Sequence, residues 1–243
     1  MNKRVMLLND TSFENHHGCN IVIKNIKMNL KLQNIDLIYS VPIGKRWKND
    51  SNFLKLLIDV DAIIINGEGT IHDDSEYAYS LLEIVNFTNK PCFLINTTYQ
   101  NNTKSFSDLV SKFKKVYVRE SLSKFELEKF GIESTIVPDM TLYYMDSNLI
   151  KSKQNTHTYI TDSHDIKLSE KLFYFADNNN NNNNINFLPL ISPYNKYYNI
   201  KGYIKRIKFR FLYKFGFLIN KLIPLKYGYK RFQNVKTEDN LLV

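Results

Sequence analysis

Five short polar stretches hold the side chains of this chain that are the candidates for acid, base or anion chemistry. Asn9-Asp-Thr-Ser12 runs into Phe13-Glu14-Asn15-His16-His17-Gly18-Cys19, and Asn66-Gly-Glu-Gly-Thr70 runs into Ile71-His72-Asp73-Asp74. Asn96-Thr-Thr98, Arg119-Glu-Ser121 and Pro138-Asp139 complete the set. Gly67 and Gly69 flank Glu68, so the backbone there can approach a ligand closely. The pattern resembles a phosphate-cradling turn, although it is neither a P-loop nor GxGxxG. His72 lies four residues past Glu68, so a carboxyl and an imidazole are expected to share one loop. Adjacent His16 and His17 point in different directions and have no partner at metal-ligand spacing, so no metal site is expected. Arg119 suits bidentate contact with a phosphate or carboxylate, or else an ion pair with Glu120 or Asp139. Cys19 is expected to be a small buried residue at a helix start. No Ser/His/Asp nucleophile pattern occurs.

Each polar stretch follows a short apolar run. The runs at 5–8, 36–40, 62–65, 92–95, 116–118 and 135–137 are rich in Val and Ile and predict strands buried on both faces of a parallel sheet. Helix patterns fall between them, at about 18–31, 51–58, 75–88, 105–113 and 122–130. The last has Ser123 three residues before Glu126, the spacing of a capping box, and Gly131 as its stop. Six strands alternating with five helices predict a doubly wound α/β domain over 1–145. In such sheets ligands bind beyond the carboxyl ends of the strands, which is where all five polar stretches fall.

A second, incomplete α/β domain is expected over 151–243. Residues 158–161 and 187–191 predict strands, and 167–176 a helix. The seven consecutive asparagines at 178–184 cannot bury a face and predict a loop. Residues 196–231 hold eleven Lys or Arg, no Asp or Glu, and many interleaved Tyr and Phe. Within them Ile204, Ile207, Phe211, Phe215, Leu218 and Leu222 recur at helical spacing until Pro224. That stripe suits either the core of the second domain or an anionic membrane surface.

The chain has 243 residues, 43% hydrophobic and 23% charged, which is enough apolar side chain for a buried core. Two cysteines exclude a disulfide scaffold. No apolar stretch reaches membrane-spanning length, and the N-terminal run is too short for a secretory signal, so a cytoplasmic protein is expected. The net charge of +9 sits almost wholly in the second part: residues 1–150 carry 17 Lys and Arg against 18 Asp and Glu, and residues 151–243 carry 16 against 6. An anionic partner is therefore expected for the second part.

In this order the motifs resemble those of the polysaccharide pyruvyl transferase family. The matching pieces are Asn9-Asp-Thr-Ser12 with Asn15-His-His-Gly-Cys19, Ile65-Asn-Gly-Glu-Gly-Thr-Ile-His72, Ile95-Asn-Thr-Thr98, Val118-Arg-Glu-Ser121 and Val137-Pro-Asp-Met140, spanning about 4–143. The resemblance implies a GT-B-like fold of two α/β domains around a cleft. It also implies transfer of a pyruvyl group from phosphoenolpyruvate to two hydroxyls of a polysaccharide or lipid-linked glycan, forming a cyclic ketal without a cofactor. It puts Arg119 on the donor anion, Glu68 and His72 in proton transfer, and Asp10, Glu14, His16 and His17 on sugar hydroxyls. Asn9, Gly67, Gly69, Thr70 and Asn96 become contact residues. The family's late Gly-Arg-aromatic-His motif is absent, so a chain truncated before the second domain closes, and inactive alone, is expected. A glycan acceptor on a lipid implies a place at the inner face of the cytoplasmic membrane.

Two other classes share these features. A GT-B glycosyltransferase would release a nucleotide from a sugar donor instead of phosphate from phosphoenolpyruvate. A non-catalytic fragment or partner-binding protein would lack the late motif. The basic aromatic segment matches no nucleic-acid-binding pattern, and no nucleic acid partner is expected.

Overall fold

The computed structural model describes residues 2–14, 16–45, 47, 48, 50–143, 158–161, 168, 171, 172, 175, 176, 179 and 185–188. They belong to two compact units, one made of 1–13 and 20–144, the other of 14–19 and 145–243.

All six apolar runs of the first unit form strands of one sheet. They are β1 (Lys3–Asp10), β2 (Ile35–Pro42), β3 (Ala62–His72), β4 (Cys92–Gln100), β5 (Lys115–Val118) and β6 (Thr135–Ile136). Their order is β2-β1-β3-β4-β5-β6, and every pairing is parallel. The connecting helices are α1 (His17–Leu32), α2 (Ser51–Leu56), α3 (Glu76–Leu82), α4 (Lys104–Val110) and α5 (Ser121–Glu128). This is a mixed α/β architecture, with a six-stranded all-parallel sheet flanked by helices.

Handedness distributes the helices. The step from β1 to β2 runs one way along the sheet, and every later step runs the other way. Right-handed crossovers therefore put α1 on one face and α2 to α5 on the opposite face. Two separate cores follow. Met6, Leu8, Ile63, Ile65, Leu94 and Val116 pack under α2 to α5, with Phe53, Leu82, Phe106 and Leu127 from the helices. The alternate residues Val5 and Leu7 pack under Val22, Ile23, Ile26 and Leu30 of α1. Each Val, Leu or Ile buried this way contributes about 1.5–3 kcal/mol. Past α1, that face keeps an open apolar groove of about 220 Å³ between Ile26 and Leu30 of α1 and Ile64, Ile95, Tyr117 and Met140.

Two local expectations need correction. The stretches 66–72 and 96–100 are not loops: β3 continues to His72 and β4 to Gln100, with Glu68 opposite Thr97 and His72 opposite Gln100. Buried Ile71 and Tyr99 join this polar extension to the core under α2 to α5. The start of α5 is also different. Its N-cap is Glu120, whose carboxylate accepts from Ser123 N at 3.0 Å and from Ser123 Oγ. Ser123 lies inside the helix and accepts from Tyr99 N at 2.7 Å, so there is no capping box with Glu126.

In the second unit β7 (Thr158–Thr161) pairs in parallel with β8 (Ile185–Leu188). Leu168, Lys171, Leu172, Phe175, Ala176 and Asn179 are helical. Asn179 is thus a helical residue of the asparagine run, where a loop was expected, and its side-chain Nδ2 donates to Phe175 O at 2.7 Å. The other asparagines of the run and the basic segment 196–231 lie outside the described residues. Among the described residues, no helix is long and apolar enough to cross a membrane.

Candidate functional site

The order of the strands reverses beside β1, which has β2 on one side and β3 on the other. A crevice outside the carboxyl ends of β1 and β3 is the expected ligand position in such a sheet. Three almost fully buried asparagines lie at that end of the sheet: Asn9 of β1, Asn66 of β3 and Asn96 of β4. Asn9 Nδ2 donates to Asn66 O at 2.7 Å, and Asn66 Nδ2 to Asn9 O at 3.3 Å. Asn96 Nδ2 donates to Asn66 Oδ1 at 3.3 Å. Tyr77 of α3 donates its hydroxyl to Asn9 Oδ1 at 2.9 Å, and Met140 N donates to Asn96 Oδ1 at 3.0 Å. Buried amides must be paired in this way, or each costs a lost hydrogen bond. Asn9 and Asn96 have φ of 63° and 52°, in the left-handed region that asparagine tolerates better than most residues. The strand register slips at both positions, so the regular ladder is interrupted there.

Glu68 extends this network. Its Oε2 accepts from Asn66 Nδ2 at 3.0 Å, and its own φ is 45°. Gly67 is explained by packing: a Cβ there would fall 2.2 Å from Thr97 Oγ1 and 2.4 Å from Thr97 Cβ. Gly69 is exposed, and Thr70 is half-buried in the irregular stretch between Glu68 and Ile71.

Arg119 follows β5 directly, with its N–H bonded to Thr97 O at 3.0 Å. Its Nε and Nη2 donate to Thr98 Oγ1 at 3.2 and 2.5 Å, and its Nη1 donates to Asp139 Oδ2 at 2.6 Å. The ion pair with Asp139 is the one formed. Glu120 instead caps α5, so its own carboxylate meets the first N–H groups of that helix. Burial pushes the Asp139 carboxyl up, but hydrogen bonds from Thr141 and Arg119 outweigh it and hold the group below its ordinary value.

Asp10 is completely buried. Its Oδ1 accepts from Ser12 N at 3.1 Å and Ser12 Oγ at 2.5 Å, while its Oδ2 accepts from Lys27 Nζ at 3.1 Å and from Ser40 Oγ. Burial raises its pKa, and the bonds from Ser12, Ser40 and Lys27 together lower it further than burial raises it. Asp10 is thus a fixed anion that ties together β1, α1 and β2. His72 ends β3 and pairs through Nδ1 with Asp73 Oδ2 at 2.8 Å, while Asn101 Nδ2 holds Asp73 Oδ1 at 2.6 Å. Glu68 lies opposite Thr97 and His72 opposite Gln100, three residues further along β4 and so about 10 Å at roughly 3.3 Å per residue; the carboxyl and the imidazole do not share one turn.

Residues 14–19 belong to the second unit. Glu14 closes a 3-10 turn. His16 caps α1: its Nδ1 accepts from Cys19 N at 3.3 Å. Gly18 leaves room for that ring, because a Cβ there would sit 3.1 Å from His16 Cε1. His17 is the first residue of α1, and Cys19 is half-buried two residues on. Cys92, at the start of β4, is buried, which pushes its thiol up to about 11. Among the described residues, no group of three or more His, Cys, Asp or Glu is placed to hold a metal ion.

The structure therefore brings together Asn9, Glu68 and Asn96 in one network and sets Gly69 beside Arg119. It puts Asp10 in a separate network and His72 further along β3. Asn66, Thr98 and Asp139, from the polar stretches singled out in the sequence, complete these arrangements together with Tyr77, Lys27 and Ser40, which were missed as site residues. Their partners are distant in sequence, so no spacing announces them. No curated protein matches the chain. A match to the polysaccharide pyruvyl transferase family covers residues 10–241, past the end of the motifs at Met140, and the chain belongs to that family.

Proposed function

We propose that the chain transfers the pyruvyl group of phosphoenolpyruvate to two hydroxyls of one sugar in a polysaccharide or lipid-linked glycan. The family supports the acceptor class. The observation that carries the donor is the Arg119 guanidinium, held at the carboxyl edge of the sheet beside Gly69, with β4 between it and the strand of Glu68. The six-stranded unit serves as the N-terminal half of a GT-B-like enzyme, and residues 151–243 contribute to its second domain. No cofactor takes part.

The reaction balances without one. Two C–O bonds form between C2 of the pyruvyl group and the sugar oxygens. The C2–O bond to phosphate breaks. Of the two hydroxyl protons, one converts the enol methylene to a methyl group and the other leaves with phosphate. Arg119 holds the carboxylate or phosphate of the donor, and Glu68 moves a proton. Asp10 fixes the crevice, while His72, His16, His17 and Glu14 serve the acceptor.

Calorimetric titration tests the donor. Wild type should bind phosphoenolpyruvate, and Arg119→Ala should lose about 1.5–3 kcal/mol, the usual cost of a charge-assisted contact. Equal affinities would remove Arg119 from the site. Nucleotide-sugar binding in place of phosphoenolpyruvate binding would favour a glycosyltransferase.

The same reading puts the enzyme at an anionic membrane surface, supported by the eleven Lys and Arg of 196–231. Each cation near such a leaflet contributes roughly 1 kcal/mol, lost as salt rises. Co-sedimentation with phosphatidylserine vesicles should be strong at low salt and weak at high salt. Equal recovery in the supernatant with anionic and neutral vesicles would withdraw the membrane role.

A further inference from the structure

Gly69 is a glycine that neither backbone conformation nor packing demands. Its φ lies outside the left-handed region, unlike that of Glu68 beside it. A Cβ at Gly69 would meet Arg119 Nη2 at 3.7 Å, an ordinary contact, and nothing else within 4 Å. Gly67, two residues earlier, is the opposite case, blocked by Thr97 on its neighbour strand. The feature that glycine preserves at 69 is open space against the guanidinium. A strand glycine commonly marks a bulge or a place where a ligand approaches closely. Gly69 lies in the irregular stretch between Glu68 and Ile71, and such irregular strand ends serve to aim neighbouring groups.

The guanidinium is already aimed. Of its five N–H donors, Thr98 Oγ1 takes one from Nε and one from Nη2, and Asp139 takes one from Nη1. Two donors remain, the number that a carboxylate or phosphate accepts in a bidentate pair. The Arg119 side chain as a whole is about one-quarter exposed, so it is reachable from solvent. Fixing a long side chain before binding removes part of the ordering cost of binding.

We infer that Gly69, Thr98 and Arg119 form an anion seat, in which Thr98 positions the guanidinium and the missing side chain at Gly69 keeps one side of it open to a carboxylate or phosphate. The inference rests on the donor reading for its natural ligand, but the seat is a property of the three residues. Thr98 acts through Arg119 and is a positioning residue.

The test is calorimetric titration of the full chain with phosphoenolpyruvate and, separately, with inorganic phosphate, together with the Tm of each variant. Gly69→Ala should keep the wild-type Tm and bind both ligands at least about tenfold more weakly, which corresponds to about 1.4 kcal/mol. Thr98→Val keeps the shape of the side chain and removes the acceptor of two bonds. It should also weaken both ligands about tenfold with the Tm retained. Wild-type affinity for both ligands in Gly69→Ala and Thr98→Val would overturn the seat and leave the donor reading standing. Phosphate binding that both variants weaken, with no binding of phosphoenolpyruvate by wild type, would keep the seat and defeat the donor reading. A wild type that binds neither ligand would overturn both. A fall in the Tm of Gly69→Ala would show that the glycine serves the backbone, and the inference would fail.

Discussion

Replacing Glu68 by Gln should lower phosphate release from phosphoenolpyruvate about 10²–10⁴-fold in the presence of glycan acceptor, the usual effect of losing a general acid or base. That range corresponds to about 2.7–5.5 kcal/mol of lost transition-state stabilisation. Donor affinity should change by less than about threefold, because Gln keeps an oxygen for Asn66 Nδ2 and takes nothing from Arg119. The choice of Glu68 over the other acids and bases follows from their surroundings. Asp10 has no accessible surface and accepts four hydrogen bonds. His72 sits further out along β3, turned toward Asp73. Glu68 alone of these three is bonded into the asparagine network and adjacent to the glycine that faces Arg119. A near-normal rate in Glu68→Gln would make Glu68 a structural residue of the bulge, and proton transfer would pass to His72.

The sequence shows the strands of this domain well and their ends poorly, for one physical reason. Residues 62–65 and 92–95 are buried on both faces of a parallel sheet and must be continuously apolar, so the pattern is visible. The continuation through Asn66-Gly-Glu-Gly-Thr70 is strand as well, but its burial comes from amide pairs and from Thr97 against Gly67. In the sequence, glycine and asparagine side by side have the signature of a turn. Only the partner strand reveals them as a bulged extension. The cap of α5 was hidden for a similar reason. Ser123 and Glu126 have the spacing of a capping box, yet the Ser123 hydroxyl is taken by Glu120 and by the backbone of Tyr99, twenty-four residues away. Convergence of the polar stretches on one edge was legible, because parallel connectivity sends every strand end to the same side. Which residues touch was legible only in part: Asp139 was one of the two partners expected for Arg119, but Arg119 also meets Thr98, and Asp10 meets Lys27 and Ser40, across distances that no local pattern encodes.

Asp10→Asn should destabilise the fold by about 2–3 kcal/mol at neutral pH without altering its architecture. Hydrogen bonds to a charged group contribute about 1.5–3 kcal/mol each and are not additive, and breaking a buried ionic arrangement on one side is costly. Such a loss is a large share of the roughly 5–15 kcal/mol that holds a domain together. The pH dependence separates the charge from the shape. The folded-state pKa of Asp10 lies below that of the unfolded chain, because the bonds from Ser12, Ser40 and Lys27 outweigh burial. A depressed carboxyl contributes stability in full above the unfolded value, about 3.9, and loses it as pH falls through the folded value. Urea unfolding of wild type and Asp10→Asn should therefore show a constant gap from pH 7 down to about pH 5. The gap should then narrow as the medium becomes more acidic. Other carboxyls held low, such as Asp139 beside Arg119, are present in both proteins and cancel in the difference. A gap that persists unchanged into the acid range would mean that Asn fails at this position by shape or bonding alone. The Asp10 charge would then have no part in joining β1, α1 and β2 beneath the crevice.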